Sequence, residues 1–321
     1  MKFVLGVMGL GLLGLGCGEV VKASGDAGID APVAPMPDAE VVTDAPPPAC
    51  DITKPFGTPV LLEGVNTAAS EISAWRSSDG LALYLSASTT VDGSGNPGNF
   101  DLFEVRRTTP TGTFGAPVAL AGLNSNVNDL RPVVTADGLS LIAMIAFNGF
   151  DFQIGEATRA TTAAAFGSFV ELASPSSTVE DGGPWVSADG LTVYFVSLRD
   201  GGSNRNIYRT TRASRTTAFT AAVPVPELNT PASEDAPVLS ADGLEILFAR
   251  QLTGGSADIY RATRTSATGT FGAAALVTEL SDSTASDRPN WLSPDRCELV
   301  FISTRAGGKG SDDIWIATRP Q

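Results

Sequence analysis

The sequence predicts an all-β fold: a five-bladed β-propeller of four-stranded blades, with an N-terminal strand completing the last blade. Three observations carry that expectation. A strand-turn-strand unit recurs five times, centred on Asp79, Asp137, Asp189, Asp242 and Asp295, at intervals of 58, 52, 53 and 53 residues. Each unit goes on into a third β-rich segment, and four of the five into a fourth. The last unit lacks its fourth segment, and a matching one stands alone ahead of the first.

The elements follow in order within each unit. A first short strand precedes the turn, in SAWRS, RPVVT, GPWVS, APVLS and RPNWLS. The turn itself reads Asp-Gly in four units and Asp-Arg in the fifth, and Asp-Gly supplies the positive φ that a tight hairpin needs. The second strand (LALYLS, LSLIAM, LTVYFV, LEILFA, CELVFI) shows apolar positions alternating with variable ones, as a half-buried strand should. The third (DLFEVRRT, DFQIGEATR, NIYRTTR, DIYRATR, DIWIATR) is rich in residues that favour a pleated surface. The fourth is expected at 113–124, 165–174, 218–229 and 270–281, and its orphan copy is KPFGTPVLLEGVN at 54–66.

An open stack of such units would leave the orphan strand unpaired at an exposed edge. A closed ring uses it as the outer strand of the fifth blade, which is the radial solution to the edge problem. Trp75, Trp185 and Trp291 occupy one equivalent place in three units. They are read as contacts between neighbouring blades, with aromatic platforms for sugar rings as the alternative. The arginines ending third strands, Arg159, Arg212, Arg264 and Arg319, read as solvated edge charges.

The repeat resembles the TolB-type, WD-repeat-like β-propeller family. That resemblance rests on Ser293-Pro294-Asp295 with Phe301, Ser303-Thr304-Arg305, Gly307-Gly308 and Asp313-Ile314-Trp315. It rests equally on Ser187-Ala188-Asp189-Gly190 with Tyr194-Phe195, Ser197, Arg199, Gly201-Gly202 and Ile207-Tyr208. It covers about residues 54–321 and implies fold far more than activity. The second unit departs from it, with Ala143-Met144-Ile145-Ala146 in place of the Ser-x-Arg step, and five units stand against the six of the TolB propeller.

Ahead of the repeats, residues 3–16 form an uncharged apolar run of 14 behind Lys2, shorter than the roughly 20 residues a membrane-spanning helix needs. It reads as the core of an export signal. Cys17 follows directly, and Leu13-Gly14-Leu15-Gly16-Cys17 resembles a lipobox, although Gly14 stands where that motif has Leu. The expected organisation is a signal peptide at 1–17, a tether at 18–50 and the propeller at 51–321. The other reading is plain secretion with cleavage after Ala23. The tether is dominated by Ala, Pro, Val, Asp and Gly, without an aromatic residue, and cannot bury enough surface to offset its ordering entropy. Gly18 after the cysteine, where some bacteria place an inner-membrane retention Asp, turns the localisation toward the outer membrane, facing periplasm or cell surface.

Three cysteines are an odd number for an exported chain. Lipidation of Cys17 leaves Cys50 and Cys297 as one candidate disulfide, which the ring topology places in the same blade; two unrelated thiols are the alternative. In the chain-entropy picture a bridge over so long a loop stabilises by about 5 kcal/mol.

Composition closes off several function classes. The 35 acidic against 21 basic residues give a formal net charge of −14, which opposes nucleic-acid binding. The absence of histidine removes the Ser-His-Asp and Cys-His nucleophile systems and the histidine-ligated zinc sites. No catalytic residue, metal site or cofactor is implied. The loops leading into the units carry Glu71, Asp129, Glu180 with Asp181, Glu234 with Asp235, and Asp287, with Arg131, Arg199, Arg250, Arg288 and Arg305 nearby. On a propeller these form one charged mouth around the channel. It is either a site for a cation, a sugar or a basic partner, or a set of acid-arginine pairs that position loops. The turn aspartates recur in every blade and read as structural. The expected function is non-catalytic binding of an envelope protein. The alternative is a carbohydrate-binding or glycoside-hydrolysing propeller, which would need unrepeated carboxylates about 5–10 Å apart beside a sugar-sized pocket.

Overall fold

The computed structural model describes residues 50–88, 90, 98–147, 151–252 and 255–321. The expected leader, Cys17 and the expected tether up to residue 49 lie outside them, as do residues 91–97 of a glycine-rich insert in the first unit. Twenty strands and no helix are present among the described residues. The closing strand is β1 (Val60–Leu61). The first blade holds β2 (Ser70–Arg76), β3 (Ala82–Ser88), β4 (Phe100–Arg106) and β5 (Val118–Ala119). The second holds β6 (Asp129–Val134), β7 (Ser140–Ile145), β8 (Gln153–Thr158) and β9 (Val170–Glu171). The third holds β10 (Asp181–Val186), β11 (Thr192–Ser197), β12 (Asn206–Thr211) and β13 (Val223–Pro224). The fourth holds β14 (Ser233–Leu239), β15 (Glu245–Gln251), β16 (Ala257–Thr263) and β17 (Ala275–Leu276). The fifth holds β18 (Asp287–Leu292), β19 (Glu298–Ser303) and β20 (Asp313–Thr318).

Every neighbouring pair within a sheet is antiparallel, and the fifth sheet runs β18-β19-β20-β1. Val60 pairs with Ile316 and Leu61 with Trp315, so the orphan segment does close the ring. The inner strands β2, β6, β10, β14 and β18 each touch the next, and β18 touches β2. The chain is a five-bladed β-propeller. A disulfide joins Cys50 to Cys297, with Cα atoms 5.6 Å apart, and so ties the segment ahead of β1 to the turn that opens β19. The Asp51 amide donates to the Pro320 carbonyl at 3.0 Å and the Gly57 amide to the Thr318 carbonyl at 2.8 Å, reinforcing the same seam.

Three expectations differ from the structure. The second strands do not alternate: β3 and β7 are buried at every position, because both faces of a blade pack against neighbouring blades. The fourth segments are long, but only two residues of each pair as strand. The rest of the segment serves a clamp. The third-strand arginines are not solvated: their guanidinium carbons lie 4.2–4.6 Å from the ring centroids of Phe114, Phe166, Phe219, Phe271 and Phe56, which sit in the fourth segments. The Nε atoms of Arg107, Arg159, Arg212 and Arg264 donate to the carbonyls of Gly80, Gly138, Gly190 and Gly243, the turn glycines of their own blades. One cation thus staples turn, third strand and outer segment together.

Each turn aspartate accepts a hydrogen bond from the hydroxyl two residues before it, for example Ser77 Oγ to Asp79 at 2.6 Å and Thr135 Oγ1 to Asp137 at 2.7 Å. These bonds, with the Leu81 amide, hold the Asp79 carboxyl below its usual range. Such a residue is spent on its turn.

Candidate functional site at the channel mouth

The inner strands all begin at one end of the channel and carry a carboxylate there: Glu71, Asp129, Asp181, Glu234 and Asp287, each 0% exposed. Each is bonded to the loop that leads into its blade. Thr67 donates amide and hydroxyl to Glu71, Ser125 does so to Asp129, and Thr230 to Glu234; Ser177 Oγ donates to Asp181 and the Asp282 amide to Asp287. In blades three to five an arginine from the end of the second strand completes the arrangement. Arg199 lies 2.6 Å from Asp181, Arg250 2.9 Å from Glu234 and Arg305 2.7 Å from Asp287. These arginines also rest over aromatic rings of their own blades, Tyr208, Tyr260 and Phe301 respectively, at 4.6–4.9 Å. Arg250 and Arg305 further donate to the Leu228 and Leu280 carbonyls, and Arg199 to that of Pro175. Blades one and two have no such arginine. Burial raises the pKa of Glu71, with Asp313 adding to it against the hydrogen bonds from Thr67, and burial likewise raises that of Asp129.

The adjacent acids part company. Asp181 and Glu234 turn into their blades, whereas Glu180 and Asp235 face the mouth, where Glu180 meets Arg205 of its own blade and Asp235 meets arginines from three other blades. Arg131 donates from Nη2 to Asp235 at 2.8 Å across the channel. Arg288 approaches the same carboxylate at 3.7 Å and Arg205 at 3.9 Å. Arg205 also donates to Glu180, at 2.8 Å from Nε and 2.5 Å from Nη2. Four blades therefore contribute to one cluster. Burial raises the pKa of the Asp235 carboxyl, but the three cations outweigh it and hold the group below its usual range.

This geometry depends on a feature absent from simple alternation. Each inner strand carries a β-bulge just after its first carboxylate. In blades two, three and four the bulged residue has positive φ: Arg131 at 53°, Gly183 at 57° and Ala236 at 51°. A bulge re-aims the side chain it carries. A long side chain in the left-handed region is uncommon, and Arg131 is the one that reaches across the channel.

Sequence reasoning named Arg131, Arg288, Asp235 and Glu180 as candidates but missed Arg205. That residue lies in the loop between second and third strands, outside the repeated pattern. No repeated pattern marks it; the step to proline at 132, 184 and 237 marks the bulged positions of the inner strands instead.

Behind the cluster the channel narrows to a cavity of about 20 Å³, bordered by Arg131, Gly183, Ala236 and Pro289. At the other end a separate apolar cavity of about 90 Å³ is lined by Trp75, Trp185 and Trp291. All three tryptophans are buried, and Trp75 donates from Nε1 to the Val134 carbonyl of the next blade at 3.0 Å. A larger cleft of about 690 Å³ lies at the outer rim between the first two blades, beside Glu104, whose carboxylate is held by Arg106 at 2.8 Å. No group of three or more potential metal-ligating residues is clustered among the described residues.

No family profile matches the chain, and no curated protein matches it. Solved structures do. The chain is similar to an endo-arabinase from Bacteroides thetaiotaomicron at 10% identity, covering 82% of this chain and 97% of that one, with a TM-score of 0.55. It is similar to an α-L-arabinofuranosidase from Podospora anserina at 13% identity, covering 84% and 98%, with a TM-score of 0.52. It matches a TolB protein from Agrobacterium tumefaciens at 15% identity, covering 80% and 78%, with a TM-score of 0.48. At these identities the likeness concerns the fold alone.

Proposed function

We propose that the protein is an exported propeller, anchored to a membrane through a lipid on Cys17, that acts as a non-catalytic protein-binding scaffold in the cell envelope, with the outer membrane favoured. One observation carries the binding reading. Each mouth carboxylate is engaged, by a hydroxyl, an amide or an arginine, and the channel beneath has room for about one water. Such a face offers a rigid, charged surface to a partner. Glycoside hydrolysis would ask instead for two carboxylates free to act on a sugar seated between them.

The apolar run at 3–16 and the cysteine directly after it support export and anchoring. Replacing Cys17 by Ser should move the protein from the membrane fraction to the soluble one, and mass spectrometry of the N-terminal peptide should find acylation only on the parent. Unchanged membrane association in Cys17→Ser would overturn the anchor.

For the scaffold, the tagged full chain is cross-linked in native envelopes and the cross-linked positions are mapped. A defined partner joined to the loops around the mouth supports the reading. The second reading, a carbohydrate-active propeller, has in its favour the likeness in fold to the endo-arabinase and the α-L-arabinofuranosidase. Release of reducing sugar from an arabinan or xylan panel, abolished by Glu180→Gln, would replace the scaffold reading with that one.

A further inference from the structure

Within the mouth, one cluster carries the sign opposite to that of the chain. The chain is strongly acidic, yet the cluster that closes the channel contains three arginines, Arg131, Arg205 and Arg288, against two carboxylates, Asp235 and Glu180. The cluster is one unit positive. The surplus is physically felt: burial lowers the pKa of Arg131, and repulsion from Arg288 and Arg205 lowers it further, against the attraction of Asp235.

The donors are not used up. Arg288 makes no side-chain hydrogen bond among the described residues, and its one ionic contact is the 3.7 Å approach to Asp235. Arg131 spends only Nη2 on that carboxylate. Their side chains are 27% and 17% exposed, open enough to be reached and buried enough for screening to be reduced. Guanidinium forks held this way match a planar carboxylate, which takes two parallel N–H donors at once.

We infer that Arg131, Arg205 and Arg288 form an oxyanion site at the channel mouth that takes the carboxylate of a small anionic ligand. Asp235 is the internal anion that holds the three arginines together in its absence. The cavity of about 20 Å³ that Arg131 borders has room for about one water, so the ligand lies outside it, at the mouth. The backbone is committed to the same end, because Arg131 occupies a left-handed position at the bulge where the third blade has Gly183. This inference names the ligand chemistry of the site proposed above and rests on that site being a recognition surface.

The test is a calorimetric titration of the full chain with citrate and, separately, with inorganic phosphate, at low and at physiological ionic strength. Saturable binding that weakens with salt is expected, with citrate tighter than phosphate. Phosphate binding more tightly would overturn the carboxylate assignment. Arg131→Gly suits the left-handed backbone and should keep the melting temperature while weakening citrate binding at least tenfold; Arg288→Gln should do the same from another blade. Asp235→Asn should tighten binding severalfold by raising the local charge. No saturable binding of either anion, or affinity unchanged in both arginine variants, would sink the inference. If the anions fail to bind while a partner still cross-links to the mouth, the oxyanion site fails and the scaffold stands. If citrate binds through Arg131 and Arg288 but no protein partner is found, the scaffold reading fails and the site stands.

Discussion

Arg319 lies 4.2 Å over the ring of Phe56, although the two residues are separated by almost the whole ring in sequence. The same cation-on-ring contact joins Arg107 to Phe114, Arg159 to Phe166, Arg212 to Phe219 and Arg264 to Phe271 within continuous blades. The closing blade is therefore assembled by the rule that builds the others. Arg319 also donates to the carbonyls of Ile52 and Lys54, so the seam is held by charge, backbone and covalent links together.

The disulfide should carry a measurable share of stability. Cys297→Ser is expected to lower the unfolding free energy by about 2–5 kcal/mol, because the open chain recovers the entropy of a 247-residue separation. Urea unfolding of parent and variant, with and without reductant, checks this. The reduced parent should fall to the level of the variant, and an insensitive midpoint would show that the strand pairing alone closes the ring.

The clamp can be measured in one blade. A double-mutant cycle on Arg264→Ala and Phe271→Leu should give a coupling of about 0.5–2 kcal/mol, the range for a partly desolvated cation over a ring. Arg264→Ala alone should cost more than the coupling, because the variant also loses the 2.6 Å bond to the Gly243 carbonyl. Additive effects would mean that the stacking is geometric coincidence.

Glu71 and Asp129 make stability depend on pH with a definite sign. Burial raises both carboxyl groups above their ordinary values, so the folded state holds protons that the unfolded chain has released. Their contribution is full below the unfolded pKa values and is lost as pH rises through the folded ones. Asp129→Asn keeps a group able to bond Ser125. It should gain stability relative to the parent at neutral pH, with the gain vanishing below the ordinary carboxylate range. Thermal melts of both proteins across pH 3–8 test it, and parallel curves would reject it.

The fifth turn is strained where the others are not. Arg296 sits at φ 62°, in the place held by Gly80, Gly138, Gly190 and Gly243 at 68–74°. Arg296→Gly should raise stability by about 0.5–1 kcal/mol, the relief of a left-handed residue less the entropy that glycine adds to the unfolded chain. The ionic contacts surrendered, to Asp242 and Glu245 at 3.8 Å, are long ones. A lowered melting temperature would show that those contacts matter more than the backbone.

Much of this architecture could be read residue by residue. The hairpin at Asp189-Gly190 and the strands flanking it are local features, set by turn chemistry and short-range β-propensity. The orphan segment around Phe56 could be assigned to the last blade because it repeated a pattern missing after Ile314-Trp315. Cys50 and Cys297 followed from that assignment. The third-strand arginines were misjudged because their partners, such as Phe271 for Arg264, become neighbours only when the outer segment folds back.

The sequence by itself determined the number of blades, the strand that closes them and the placement of the disulfide, since each is written in a local pattern that recurs. The tertiary structure decided which charges meet. Arg131, Arg205, Asp235 and Arg288 belong to four different blades and to positions that do not repeat, and only ring closure brings them together. The left-handed bulge at Arg131 takes on meaning only there, where its guanidinium lies 2.8 Å from Asp235 of the fourth blade.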